Sequence, residues 1–199
     1  MIADAKESRE VLSHAEEWRG PICSISNEEF VAGGERVVRS FLVHPGAVSV
    51  VALDDQGRVV LINQYRHPIR ARLWEVPAGL LDHEGEDYLE GAKRELAEEA
   101  DLEADTWHVL ADFFASPGFT TQSSRVFLAR DLRPSTIDFV REAEEAELVR
   151  EFMDLDEAAD AIVQGRIHSP DAVVGILAAV RARNSNWETL RDPSAPWLR

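Results

Sequence analysis

Residues 79–102 read GLLDHEGEDYLEGAKRELAEEADL, and this stretch decides the fold. Asp87, followed three residues later by Glu90, predicts the start of a helix with a capping box. Apolar residues then recur at spacings of three and four, which is typical of a helix with one face in a core. The residues of that face are Leu89, Ala92 and Leu96. The stretch therefore predicts a loop followed by an amphipathic helix.

Three carboxylates lie on another face of this helix. Glu95 and Glu99 are one turn apart, and Glu98 lies beside them. Carboxylates this close repel each other unless a cation lies between them, and Mg²⁺ or Mn²⁺ takes oxygen ligands of this kind. Arg94 is four residues before Glu98 and is placed to pair with it. The same pattern is also typical of a solvated acidic face, but the ordered residues around it favour a metal site.

The charge and composition of the chain exclude several classes of function. Its 199 residues carry a formal net charge of −16, which repels nucleic acid, because nucleic-acid binding depends on Lys and Arg neutralising phosphates. No apolar run reaches the roughly 20 residues of a membrane-spanning helix, and the polar start is unlike a secretory signal. We therefore expect a cytoplasmic protein that binds neither nucleic acid nor a membrane. An anionic substrate would require local arginines or metal ions.

The rest of the sequence predicts strands interspersed with helices, an α+β fold without regular βαβ alternation. Residues 3–19 read as a polar helix or a partly ordered arm. The predicted strands are Cys23–Val31, Arg36–Val43, Val48–Leu53, Val59–Tyr65, Leu73–Pro77, Thr106–Ala115, Arg125–Ala129 and Leu148–Met153. Two helices follow, and the last is expected to place Val173, Val174, Ile176, Leu177 and Val180 inward.

Glu86 through Leu102 resembles the signature of the Nudix hydrolases. That signature is Gly, five residues, Glu, seven residues, then Arg-Glu-apolar-x-Glu-Glu-x-Gly-apolar. Two features depart from it. Six residues, not five, separate Gly79 from Glu86, and Asp101 stands at the late glycine. We expect Asp101 to adopt a left-handed backbone just past the helix end.

The resemblance implies the fold, the cofactors and the division of the chain. The Nudix fold is a mixed β-sheet sandwiched between α-helices, here with an N-terminal β-hairpin region. Residues 1–43 would form an N-terminal arm and dimerisation strands, 44–185 the Nudix domain and 186–199 a C-terminal tail. Two to three Mg²⁺ or Mn²⁺ ions would be held by the carbonyl of Ala78 and by Glu95 and Glu99, with Glu98 bridging or lying behind them.

Segments outside the signature resemble the ADP-ribose pyrophosphatase branch of the family. They are residues 64–68 (QYRHP), 73–82 (LWEVPAGLLD) and 116–120 (SPGFT). The implied substrate-binding residues are Arg66, Trp74, Glu75, Gly118, Phe119 and Gln122, although Trp74 is also expected to pack in the core. Arg66 would bind a diphosphate as a forked donor. Gln122 stands where this branch usually has Glu, which leaves the substrate less defined than the reaction.

The resemblance also implies a general base on the acidic loop 142–147. Glu145 is the first choice, Glu144 the second and Glu147 the third, with Glu98 the alternative on the helix. The expected reaction is metal-dependent hydrolysis of the pyrophosphate bond of ADP-ribose to AMP and ribose 5-phosphate. The alternatives are another nucleoside diphosphate derivative, such as a nucleotide sugar or a dinucleotide, and a non-catalytic ADP-ribose-binding sensor. A homodimer paired through the N-terminal strands is also expected.

Overall fold

The computed structural model describes residues 2–83, 85–137, 139, 141 and 146–199. Within these residues the chain forms ten strands, three α-helices and a short 3₁₀ turn. The strands are β1 (Val11–Arg19), β2 (Ser24–Ala32), β3 (Glu35–Val43), β4 (Ala47–Ala52), β5 (Arg58–Arg66), β6 (Ala71–Glu75), β7 (Ala78–Leu80), β8 (Leu102–Phe114), β9 (Ser123–Pro134) and β10 (Val149–Asp154). The helices are α1 (Tyr88–Ala100), α2 (Leu155–Val163) and α3 (Pro170–Arg183).

The strands form three sheets. A four-stranded mixed sheet has the order β7-β4-β9-β8, with β4 and β9 parallel at its centre. An antiparallel sheet has the order β10-β5-β6, and the N-terminal sheet has the order β1-β2-β3. The expected α+β fold, with a mixed sheet and an N-terminal strand region, is confirmed.

The side chains of β4 show how the sheet lies between helices. Val48 and Val50 pack in one hydrophobic core with α1, whereas Val51 packs in a second core with α2 and α3. Successive side chains of a strand point to opposite faces, so one strand supplies both cores. The predicted sandwich of sheet between helices is therefore present.

Helix α3 packs on the sheet through small residues. A Cβ placed on Gly175 would lie 2.6 Å from Cγ2 of Val51, so only glycine allows this approach. The expectation that Leu177 faces inward is wrong, because its side chain is 40% exposed. The buried stripe is Ala172, Gly175, Ile176, Ala179 and Ala182, which follows the helical repeat more closely.

None of the helices in the described part of the chain is long and apolar enough to cross a membrane.

The expectation of a helix within residues 3–19 is also wrong. Val11–Arg19 is strand β1, which pairs antiparallel with β2 along its length. Cross-strand side chains support the pairing, for example Asn27, whose amide donates to Glu17 at 2.8 Å. The partner strand lies outside the local sequence, and such pairing overrides the helical preference of Ala and Glu residues.

The residues after α3 contact strand β8 and helix α1. Arg191 donates to Asp112 at 2.7 Å, and its backbone forms a bridge with Val109 of β8. The ring of Trp197 lies edge-on to Tyr88, with centroids 5.6 Å apart. The division at residue 186 stays a prediction, and the tail is in contact with the domain it follows.

Candidate active site

Helix α1 places two of its carboxylates beneath the edge of the mixed sheet. The helix begins where expected, because the carboxylate of Asp87 accepts the N–H of Leu89 at 2.9 Å. Glu95 and Glu99 are buried, with 8% and 6% of their surface exposed. Charged side chains are rarely buried without partners, so this burial does not fit a simple solvated acidic face.

Gly79 on β7 makes room for Glu95. A Cβ at Gly79 would lie 1.8 Å from Oε1 of Glu95 and 2.0 Å from its Cδ. Glu95 therefore occupies the space that any other residue at position 79 would fill. The glycine that begins the signature is explained by this contact with a carboxylate on the helix.

Glu99 lies against the backbone of β7. The N–H of Ala78 donates to Oε2 of Glu99 at 2.7 Å. The peptide that follows Pro77 is therefore held beside the C-terminal half of α1. This contact brings together Ala78 and Glu99, two of the four residues expected to hold metal.

Arg94 pairs with one carboxylate in the loop before α1 and with two on α1 itself. Its guanidinium donates to Glu86 at 2.9 and 3.1 Å, to Glu95 at 2.6 Å and to Glu98 at 3.1 Å. The expected Arg94–Glu98 pair is thus present. The hydrogen bond from Arg94 lowers the pKa of Glu86, and the bond to Glu86 raises the pKa of Arg94. One positive charge here faces three carboxylates.

The donor atoms of this group fit a hard divalent cation. Glu95, Glu98 and Glu99 offer only oxygen ligands, and two of them are removed from water. Among the described residues, no three His, Cys, Asp or Glu side chains are already grouped as a metal cage. Arg94 contacts Glu95 and Glu98, and the Ala78 amide contacts Glu99. A bound ion would replace these partners.

Arg66 and Glu75 form a forked pair on neighbouring strands. Arg66 donates from Nε and Nη2 to the two oxygens of Glu75, at 2.9 and 2.8 Å. Glu75 is buried at the end of β6, three residues before Ala78. Trp74 is partly buried against the core formed with α2 and α3, as expected for a packing residue. The binding of a diphosphate by Arg66 stays a prediction.

The loop between β8 and β9 lies against the N-terminal sheet. The carbonyl of Phe119 accepts the N–H of Leu42 on β3, at 2.9 Å, while the Phe119 side chain is 62% exposed. Gln122 closes the loop, since its carbonyl accepts the N–H of Ala115 at 3.0 Å. A cavity of about 330 Å³ opens here. Its lining includes Phe30, Arg39, Phe41, Gly118 and Phe119.

Of the three candidate bases on the loop 142–147, Glu144 and Glu145 lie outside the described residues. The third, Glu147, is described, and its carboxylate accepts from Nη1 of Arg72 at 3.0 Å. Arg141 also reaches the site, where it donates to the carbonyl of Glu98 at 2.9 Å. Neither Arg72 nor Arg141 was expected near this site. Both contacts join residues more than 40 positions apart, so no local pattern in the sequence indicates them.

Comparison with known proteins assigns the family. The NUDIX domain family matches residues 43–172, which span the mixed sheet, α1 and the start of α3. The chain belongs to the Nudix family. It is a Nudix hydrolase, and members of this family generally use divalent metal ions. The left-handed backbone of Asp101 (φ 53°) confirms how this Nudix chain accommodates a residue other than glycine.

Individual relatives agree with this assignment. The chain is 37% identical over 195 residues to the ADP-ribose pyrophosphatase of Mycobacterium tuberculosis, covering 98% of this chain and 93% of that protein. It is 38% identical over 116 residues to the ADP-ribose pyrophosphatase of Bacillus subtilis, covering 58% and 61%. A crystal structure described as an ADP compounds hydrolase superposes with a TM-score of 0.77. At 19% identity, over 93% of this chain and all of that one, it shows the shared fold.

Proposed function

We propose that this Nudix hydrolase cleaves the pyrophosphate bond of ADP-ribose to give AMP and ribose 5-phosphate. The observation that carries the reaction class is the burial of Glu95 and Glu99 against Gly79 and Ala78. The choice of ADP-ribose is supported by the two relatives named as ADP-ribose pyrophosphatases, one of which aligns along almost the whole chain.

Two to three Mg²⁺ or Mn²⁺ ions would be held by the Ala78 carbonyl and by Glu95, Glu98 and Glu99. When bound, such ions neutralise a diphosphate and lower the pKa of nearby water. Arg94 keeps the carboxylates together before the ions arrive, because its guanidinium contacts Glu95 and Glu98 at once. Most of the catalytic effect in phosphoryl transfer comes from such positioning of charge.

The substrate would lie between the metal site and the loop after β8. The cavity lined by Phe30, Phe41 and Phe119 offers aromatic faces suited to a purine base. Gly118 permits close approach of the loop backbone, and Gln122 would donate to or accept from a ribose hydroxyl. Arg66, which is paired with Glu75, would contact the diphosphate, and Glu75 and Trp74 would lie near the substrate as well.

Glu145 is proposed as the general base, with Glu144 as the second choice. Glu147 is less suitable, because its carboxylate already accepts a hydrogen bond from Arg72. Glu98 is the alternative on α1, where it is paired with Arg94. A base on the loop needs only to accept a proton from a water molecule already acidified by metal.

A homodimer through the N-terminal sheet is proposed as well. Every residue of β1 is exposed, and the sheet β1-β2-β3 presents large apolar side chains to solvent. They include Val11, Trp18, Ile25, Val31 and Val38. A second copy of the chain, paired through this sheet, would cover these apolar side chains.

Product analysis tests the proposed function. The protein would be incubated with Mg²⁺ or Mn²⁺ and a panel of ADP-ribose, nucleotide sugars and dinucleotides, with products identified by mass. We expect the highest kcat/KM for ADP-ribose, with AMP and ribose 5-phosphate as products. Higher kcat/KM for another member of the panel would move the assignment to that substrate. Tight binding of ADP-ribose without turnover would indicate a sensor.

A further inference from the structure

Asp101 ends helix α1 in a conformation that suits glycine. Its backbone is left-handed (φ 53°, ψ 35°), and its N–H donates to the carbonyls of Leu96 and Ala97. The Nudix signature has glycine at this position, because a left-handed backbone is unfavourable for a residue with a Cβ. Aspartate is therefore conformationally less favourable than glycine here, but its side chain makes contacts that glycine cannot make.

The Asp101 carboxylate binds two arginines that flank the acidic loop. Arg141 donates from Nη2 to Oδ1 at 2.7 Å, and Nη1 of Arg150 lies 3.6 Å from Oδ2. The same arginines donate to carbonyls of α1, Arg141 to Glu98 at 2.9 Å and Arg150 to Ala100. Both guanidinium groups are thus held at the C-terminal end of α1, where the helix dipole favours positive charge.

A second contact fixes the other flank of the loop. Arg72 on β6 donates from Nη1 to the carboxylate of Glu147 at 3.0 Å and from Nη2 to its carbonyl at 2.8 Å. Arg72 precedes Glu75 by three residues on the same strand. Positions 141 and 147 are therefore attached to the two elements that carry the candidate metal and substrate residues.

We propose that Asp101 is a positioning residue, which anchors Arg141 to α1 and so sets where the segment with Glu144 and Glu145 begins relative to the carboxylates of α1. The inference rests on the proposed function, since it assumes that a carboxylate of this segment takes part in hydrolysis. Asp101 itself touches neither substrate nor metal in this role. Its side chain is 51% exposed, and exposed ion pairs contribute little to stability, so effects on turnover and on folding are separable.

Asp101→Gly restores the residue of the signature, and Asp131→Gly is its matched control. Asp131 also has a left-handed backbone (φ 58°), and its carboxylate accepts from Thr106 on the neighbouring strand. We expect Asp101→Gly to lower kcat about tenfold, with KM and the metal requirement changing less than about threefold. Asp131→Gly should keep the kcat of the unmodified protein. Neither variant should lower the melting temperature by more than about 3 °C.

Arg141→Gln tests whether Asp101 acts through Arg141. This variant should lose at least as much kcat as Asp101→Gly, because it also removes the donation from Arg141 to the carbonyl of Glu98. The double variant should lose little more than Arg141→Gln, because both changes remove the contact between Asp101 and Arg141. Losses that multiply to about a hundredfold would overturn the proposal.

Trypsin gives a readout that needs no activity. In metal-free protein, cleavage after Arg141 should be faster in Asp101→Gly than in Asp131→Gly, because the released guanidinium becomes available to the protease. An unchanged cleavage rate would show that Asp101 does not anchor Arg141. Faster cleavage with unchanged kcat would show that the anchor has no role in positioning. If the unmodified protein does not hydrolyse ADP-ribose, the proposed function fails. The cleavage rate then still decides whether Asp101 anchors Arg141.

Discussion

Replacing Gly79 by alanine tests the contact between β7 and the metal-site helix. The new Cβ would lie 1.8 Å from Oε1 of Glu95, whereas ordinary van der Waals contacts begin at 3.4 Å. The carboxylate must therefore move by at least about 1.6 Å. It would also give up its 2.6 Å bond from Arg94. The substitution thus displaces a proposed metal ligand without removing any of its atoms.

The expected effect is large on catalysis and small on folding. A misplacement of about 1 Å at a reacting centre can lower turnover about 10²-fold, which corresponds to about 2.7 kcal/mol of transition-state stabilisation. The Mg²⁺ concentration that gives the half-maximal rate should rise about tenfold or more. The colliding atoms of Glu95 belong to a flexible side chain, so we expect the free energy of unfolding to change by no more than about 1 kcal/mol.

The assay is the rate of ADP-ribose hydrolysis as a function of Mg²⁺ concentration, with thermal unfolding measured alongside. Gly91→Ala is the control, because this glycine lies on α1 and the nearest atom to its Cβ would be Oε2 of Glu86, at 3.1 Å, with Cγ2 of Val48 at 3.6 Å. Alanine favours a helix over glycine by about 1 kcal/mol, so this control should be folded and active. Normal turnover and a normal Mg²⁺ requirement in Gly79→Ala would refute the assignment of Glu95 to the metal site.

Three further predictions concern the base, the dimer and a partly buried carboxyl group. Glu145→Gln should lower kcat about 10²–10⁴-fold with little change in KM, and normal turnover here with a loss in Glu144→Gln would assign the base to Glu144. Light scattering at micromolar concentration should give twice the chain mass of 22.3 kDa, and a fully active monomer would exclude the proposed dimer. Burial raises the pKa of Asp171, which accepts from Ser124, so the folded state loses stability as the pH rises above about 4. Asp171→Asn should therefore melt at a higher temperature than the unmodified protein at pH 7 but not at pH 3. An equal difference in melting temperature at both pH values would show that ionisation of the Asp171 carboxyl group is not the cause.

Local rules were sufficient to predict helix α1. The cap at Asp87 and the buried side chain of Leu96 follow from residue type and spacing along one helix, whereas the left-handed backbone of Asp101 was expected from the glycine of the Nudix signature. The metal-site hypothesis also came from this spacing, since residues one turn apart share a face whatever the rest of the chain does.

Features that depend on distant partners could not be predicted in this way. Strand β1 exists because β2 pairs with it, and its own composition favours a helix. The contacts of Arg72 with Glu147 and of Arg141 with Asp101 join positions 75 and 40 residues apart. Only the folded sheet brings these residues together, so a single sequence carries no local signal for them.

The central claim is that the buried carboxylates of α1 form a metal site, and the Mg²⁺ dependence of hydrolysis by Glu99→Gln and Glu90→Gln tests it most directly. Both variants remove one negative charge from the same helix. Glu90 is exposed and pairs with Lys93 at 2.7 Å, whereas Glu99 is buried beside Ala78. We predict that Glu99→Gln lowers turnover at least about 10²-fold and that Glu90→Gln behaves like the unmodified protein. Equal activity of the two variants, or full activity of the unmodified protein in excess EDTA, would contradict the account.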